Sequence, residues 1–230
     1  MKVIRDPGDA QTTLVMLPGA GDRAQDLVDR GFIASVRKRG LAVDVLAVDA
    51  DFDHYLDRDL VVRLERDIVA PARRGGAARI WLMGISLGGL GALSYAREHP
   101  GSVEGIVLLA PFLGTRGLIA EITRAGGLEH WKPGPIPPED VGEDDERRLL
   151  EWLQQYRHED PGVPAIWLGY GIGDRYAPAS LLLAARLPAP HVMAMPGGHD
   201  WETWLKLWER WLDAGFLRRP RTVASNGKLS

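Results

Sequence analysis

Six short runs of aliphatic and β-branched residues punctuate the chain, at Thr12–Leu17, 41–48, 79–84, 103–109, 164–168 and 191–195. Between them lie segments whose apolar residues recur at helical spacing: 26–39, 57–73, Leu87–Glu98, 144–157, 178–187 and 201–213. The strand-like runs are continuously apolar, not alternating, so both faces of their sheet must be covered. Strands alternating with amphipathic helices predict an α/β fold, a doubly wound, mostly parallel sheet flanked by helices. Ligands of such sheets bind beyond the carboxyl ends of the strands. Chemistry is therefore sought in the residues just after each strand.

One connection breaks this rhythm. About fifty residues, 112–161, separate two strands, where a connection of about 2–6 is usual. The segment holds a helical pattern at 118–124, a Pro/Gly-rich stretch KPGPIPP at 132–138, and an acidic run at 139–146 that leads into a helix. Acidic residues at a helix start complement its dipole. The segment is expected to form a small lid at the sheet's carboxyl edge; the other reading is a crossover helix with a long irregular approach. Residues 1–217 read as one domain and 218–230 as a polar, frayed tail.

Composition narrows the chemistry. The 230 residues include no cysteine. That excludes a disulfide framework, a thiolate metal site and a cysteine nucleophile. A net charge of −3 leaves no basic surface for nucleic acid. The N-terminal segment lacks the apolar run of a signal peptide, and no stretch approaches the roughly 18 apolar residues of a membrane span. A cytoplasmic location is the expectation.

The boundary between the third strand-like run and the third helical pattern carries the strongest motif. Residues 84–88 read Gly-Ile-Ser-Leu-Gly, a G-x-S-x-G between a strand and a helix. Serine on such a sharp turn has its hydroxyl lifted above the sheet, and glycines two residues either side remove Cβ clashes. The Leu87 amide at the helix start is placed to donate to an oxyanion. With 27 glycines and seven serines in the chain, chance supplies only about 0.1 such matches.

A serine hydroxyl needs a base. His199 follows the last strand and the turn Pro196-Gly197-Gly198, at the same edge of the sheet. The other histidines fall at the wrong edge, in the 112–161 segment or in an early loop. The base needs a carboxylate to fix its tautomer. Asp174 follows the penultimate strand within GYGIGDRYAP. The order Ser86, Asp174, His199 is that of an α/β-hydrolase triad. Asp200 ranks second and reads better as the N-cap of the last helix. The loop Leu17-Pro18-Gly19-Ala20-Gly21 should supply the second oxyanion donor, with the Ala20 amide preferred over that of Gly21.

Taken together, LPGAG, GISLGG, the glycine-rich Asp loop and GGHDW resemble the α/β-hydrolase superfamily over most of the chain. GISLGGLGAL (84–93) and GGHDWETW (197–204) are similar to esterase-D-type and related serine esterases. The resemblance implies Ser86, Asp174 and His199 as the triad and no cofactor. It implies a serine hydrolase cleaving a small-molecule carboxylic ester or thioester through an acyl-enzyme. Acyl transfer with the same triad and a non-catalytic binding module are the alternatives. Pro18 departs from the histidine common in the family's oxyanion motif. The chain is also shorter than typical esterase-D enzymes, leaving early edge strands in question.

Three further features are read conservatively. The acidic stretch 49–59 lacks the glycine and distal glutamate of a calcium loop, so no metal site is assigned. The tryptophans at 201, 204, 208 and 211 form a helical stripe, which reads as core. Trp201, two residues after the base, and Trp131, beside the Pro/Gly stretch, are candidate substrate contacts.

Overall fold

The computed structural model describes residues 1–8, 11–50, 54–55, 58–134 and 144–217. Seven strands form one sheet: β1 (Val3–Asp6), β2 (Thr12–Leu17), β3 (Asp44–Val48), β4 (Arg79–Ile85), β5 (Gly105–Leu109), β6 (Ala165–Gly171) and β7 (Val192–Met195). Their order is β1-β3-β2-β4-β5-β6-β7. All neighbours pair in parallel except β1 with β3. The sheet is thus the mostly parallel one that the apolar runs predict. Strand β1 is an addition, since nothing before residue 12 was expected to pair. Its half-buried side chains, with Arg5 exposed, are those of an edge strand, not of a continuous apolar run.

Side chains of each central strand divide between two cores. In β2, Val15 and Leu17 face one and Leu14 and Met16 the other; in β4, Ile80 and Leu82 oppose Trp81, Met83 and Ile85. This period-2 division, buried on both faces, is why the strands lack polar alternation.

Two expected single helices are interrupted. The 26–39 pattern divides into α1 (Ala24–Asp29) and α2 (Phe32–Lys38), with Gly31 between them at φ +86°. Only glycine takes that conformation without strain. The 57–73 pattern becomes α3 (Leu60–Leu64), a π-helical turn (Glu65–Val69) and α4 (Ala70–Arg74). Helix α5 (Leu87–Glu98) follows the serine, as the pattern predicts.

The 112–161 segment contributes α6 (Arg116–Arg124) and α7 (Asp144–Gln155). Thr115 caps α6 by accepting the Leu118 N–H at 3.3 Å. Leu118, Ile119 and Ile122 of α6 join Leu149, Leu150 and Leu153 of α7 in the core shared with β4 and β5. The described part of this segment is therefore a structural layer and not a free-standing flap. Residues 135–143 of the Pro/Gly and acidic stretches, and the 218–230 tail, lie outside the described residues.

The chain ends its described part with α8 (Ala177–Ala184) and α9 (Trp201–Ala214). In α9, Trp204, Trp208 and Trp211 are buried, so that part of the stripe is core. No described helix is long and apolar enough to cross a membrane.

Candidate active site

Strand β2 turns back to β3 on one side, while the chain continues through β4 on the other. The carboxyl ends of β2 and β4 therefore flank the switch point of the sheet, where open α/β sheets bind ligands. The Pro18–Gly19–Ala20 loop leaves β2 there, and Ser86 leaves β4.

Ser86 sits at φ +49° and ψ −113°, a region that costs a non-glycine residue on the order of 1–3 kcal/mol. The turn is held by its neighbours. The Ser86 N–H donates to Leu109 O at 3.0 Å, and its carbonyl accepts from Gly89 and Phe112, each at 2.9 Å. The two motif glycines are needed for close approach. A Cβ on Gly84 would meet Gly88 O at 2.3 Å, and one on Gly88 would meet Leu17 O at 2.3 Å. Helix α5 is thereby pressed against the end of β2.

The loops after β6 and β7 bring two more groups to Ser86. Its Oγ lies 3.0 Å from His199 Nε2, and His199 Nδ1 lies 2.7 Å from Asp174 Oδ2. The Asp174 side chain is fully buried. Its other oxygen, Oδ1, accepts the Tyr176 N–H at 2.7 Å. With Nδ1–H donating to the carboxylate, Nε2 is left to accept from the serine hydroxyl. Glycine again permits the approach: a Cβ on Gly171 would meet Gly197 O at 2.5 Å. Asp200 does something else. It caps α9, accepting the Thr203 N–H at 2.9 Å, and these bonds hold its carboxyl below the usual range.

The Leu87 and Ala20 residues both line the cavity that opens at Ser86. Leu87 begins α5, so its N–H has no partner within the helix. Asp22 closes the Ala20 turn by donating its N–H to Gly19 O at 3.1 Å. Burial pushes the Asp22 carboxyl above its ordinary value, and the group lies close enough to feel His199.

The two tryptophans expected at the substrate stand elsewhere. Trp131 is 2% exposed and sits in the core. Its indole N–H donates to Glu121 at 2.8 Å, and the same carboxylate takes Arg147 at 2.8 and 3.1 Å. Trp201 packs edge-on against Phe32 and Trp204, with Arg30 over its ring at 5.5 Å. Neither lines the cavity. The aromatic groups that do reach the site are Tyr55, Phe112 and Tyr176 in the cavity wall, and Trp204 behind His199. Tyr176 and Trp204 stand against the imidazole at 4.8 and 4.9 Å. Their sequence signals were position alone: Tyr176 is two residues past Asp174, and Trp204 five past His199.

The Hydrolase_4 family model, described as serine aminopeptidase S33, matches residues 30–159. The chain belongs to this α/β-hydrolase family. The Hydrolase_4 match includes the serine turn and stops before Asp174 and His199. No curated protein matches the chain in sequence. Among solved structures, the S-formylglutathione hydrolase of Staphylococcus aureus is 16% identical with a TM-score of 0.62, over 91% of this chain and 82% of that one. Est1E of Butyrivibrio proteoclasticus is 21% identical with a TM-score of 0.56, over 92% and 91%. A ferulic acid esterase is 14% identical with a TM-score of 0.58, over 92% and 96%. At these identities the likeness establishes the fold that this Hydrolase_4 chain shares with them.

Proposed function

We propose that the protein is a serine hydrolase that cleaves a carboxylic ester or thioester through an acyl-enzyme. The observation that carries this reading is the unbroken line Ser86 Oγ, His199, Asp174, with steps of 3.0 and 2.7 Å, ending on a strained serine at the switch point of the sheet.

In the first half-reaction Ser86 Oγ bonds to the substrate carbonyl carbon while its proton passes to His199 Nε2. The amides of Leu87 and Ala20 hold the oxyanion. As the tetrahedral species collapses, the bond to the alcohol oxygen or thiol sulfur breaks, and His199 returns the proton to that leaving group. Water then attacks the acyl-enzyme, giving its proton to His199. Collapse releases the carboxylic acid and returns the proton to Ser86. Asp174 keeps Nδ1 protonated and stabilises the imidazolium without taking its proton.

The esterase neighbours support ester substrates over amides, although the family description names an aminopeptidase. The test uses a fluorophosphonate probe and p-nitrophenyl esters on wild-type protein and Ser86→Ala. Wild type should label at Ser86 and hydrolyse the esters, and the variant should lose at least about 10⁴-fold in kcat. A variant with near-wild-type rates would overturn the mechanism.

A further inference from the structure

The cavity at Ser86, about 420 Å³ in volume, is a trough running along one face of α5. Leu87, Leu90, Gly91, Ser94, Arg97 and Glu98 form its wall on that helix, at spacings of three and four residues. It therefore reaches about 16 Å from the serine. Its chemistry changes along the way. As far as Ser94 the facing walls include Leu60, Val61, Phe112 and the ring of Tyr55, which with Leu87 and Leu90 give a mainly apolar passage; Leu60 and the Tyr55 hydroxyl stand at Gly91. Beyond Ser94 the walls are charged: Arg58 pairs with Asp145 at 3.4 Å, and Arg97 with Glu98 at 3.0 Å.

The geometry points to this trough as the acyl-chain site, for unbranched acyl groups of about six to eight carbons. The inference rests on the ester-hydrolase reading above. The side of the substrate follows from the proton. The leaving group must lie where His199 Nε2 can protonate it. Among the described residues His199 is not part of the trough wall; it stands between Tyr176 and Trp204, toward α9. The group that stays on the serine is left with the α5 side. The chain length follows from the walls. From Leu87 to Ser94 the passage runs about 10 Å. Each methylene buried there favours the transition state by up to about fourfold. Carbons added past Ser94 would lie among ionised groups, gaining little burial and stripping water from charges.

The test is a series of p-nitrophenyl esters from acetyl to hexadecanoyl at submicellar concentration, so that only the acyl group varies. In wild type kcat/KM should rise at least tenfold from acetyl to a maximum at hexanoyl or octanoyl, then fall by dodecanoyl. Leu90→Trp narrows the trough and should lower the octanoyl-to-acetyl ratio at least tenfold. The ratio is taken within one sample, so loss of folded protein cancels. Ser94→Leu prolongs the apolar wall and should move the maximum to longer chains, which misfolding cannot mimic. A wild-type profile that is flat or highest at acetyl, with fluorophosphonate labelling intact, overturns the acyl trough and leaves the hydrolase reading standing. Variants that leave the profile unmoved do the same. Absence of both labelling and hydrolysis with every ester overturns the hydrolase reading and this inference with it.

Discussion

Asp174 and His199 meet at 2.7 Å, while the adjacent Asp200 turns away to cap α9. The two carboxylates therefore answer to different measurements. Asp174→Asn should keep the fold and lower kcat on a p-nitrophenyl ester by about 10⁴-fold, because the amide favours the wrong imidazole tautomer. Asp200→Ala should lose about 1 kcal/mol of stability in urea unfolding and change kcat far less. A larger kcat loss in the Asp200 variant would reverse the two roles.

The elbow glycines make a second prediction. Gly88→Ala pushes a Cβ into two backbone carbonyls, Leu17 O and Pro18 O, at 2.3 and 2.5 Å. Backbone cannot swing aside as a side chain would, so the variant should lose about 3 kcal/mol or more, or fail to accumulate folded. Gly117→Ala is the contrast. It lies near the start of α6, where the nearest atom to an added Cβ is Thr115 Oγ1 at 3.7 Å. There alanine should stabilise by about 0.5–1 kcal/mol. Thermal melts of the two variants check both signs.

A third concerns Glu121. The Arg147 guanidinium, and then the Trp131 indole N–H, hold its carboxyl below the ordinary 4.5. The unfolded chain therefore binds more protons than the folded one in the interval between the lowered value and 4.5. The bonds' contribution is fully present above 4.5 and is lost as pH falls through the lowered value. Wild type should exceed Glu121→Gln in stability at pH 7, and the difference should shrink progressively below 4.5. A gap that is constant with pH would exclude the ionic origin. Trp131→Phe should lower the melting temperature and leave ester kinetics close to wild type, because the indole is core.

A fourth tests the aromatic neighbours of the imidazole. With Trp204 removed, one wall that fixes the ring is lost. Trp204→Leu should lower kcat about tenfold at nearly constant KM, as for a group whose orientation matters more than its binding. Burst titration with a p-nitrophenyl ester separates this from loss of folded protein.

Much of the arrangement was readable from local pattern. Buried strands, the G-x-S-x-G turn and the two glycine loops carry their geometry in a few adjacent residues, because steric limits at a sharp turn act locally. What escaped depends on distant partners. Trp131, next to prolines and glycines, has the local signature of an exposed aromatic group. Its partner Glu121, and the Arg147 that holds the same carboxylate, come from two different helices. The break at Gly31 has no distinct local mark, since one glycine inside a helical period is tolerated elsewhere. Leu60 and Val61 belong to the 57–73 helical pattern; that they line the cavity that opens at Ser86 is a property of packing. Asp51, Asp53 and Asp57 of the acidic stretch lie outside the described residues, while Asp59 pairs with Arg63 and lies 3.2 Å from His54.

The segment after Phe112 supplies Leu149, Leu150 and Leu153 to the core and Asp145 and Glu146 to the cavity wall. One helix thus carries two obligations. A surface flap could be exchanged for another to change what the site accepts. Here an exchange would also remove the aliphatic layer beneath it, so new preferences must arise by single changes on the helix face, each judged against the integrity of the whole.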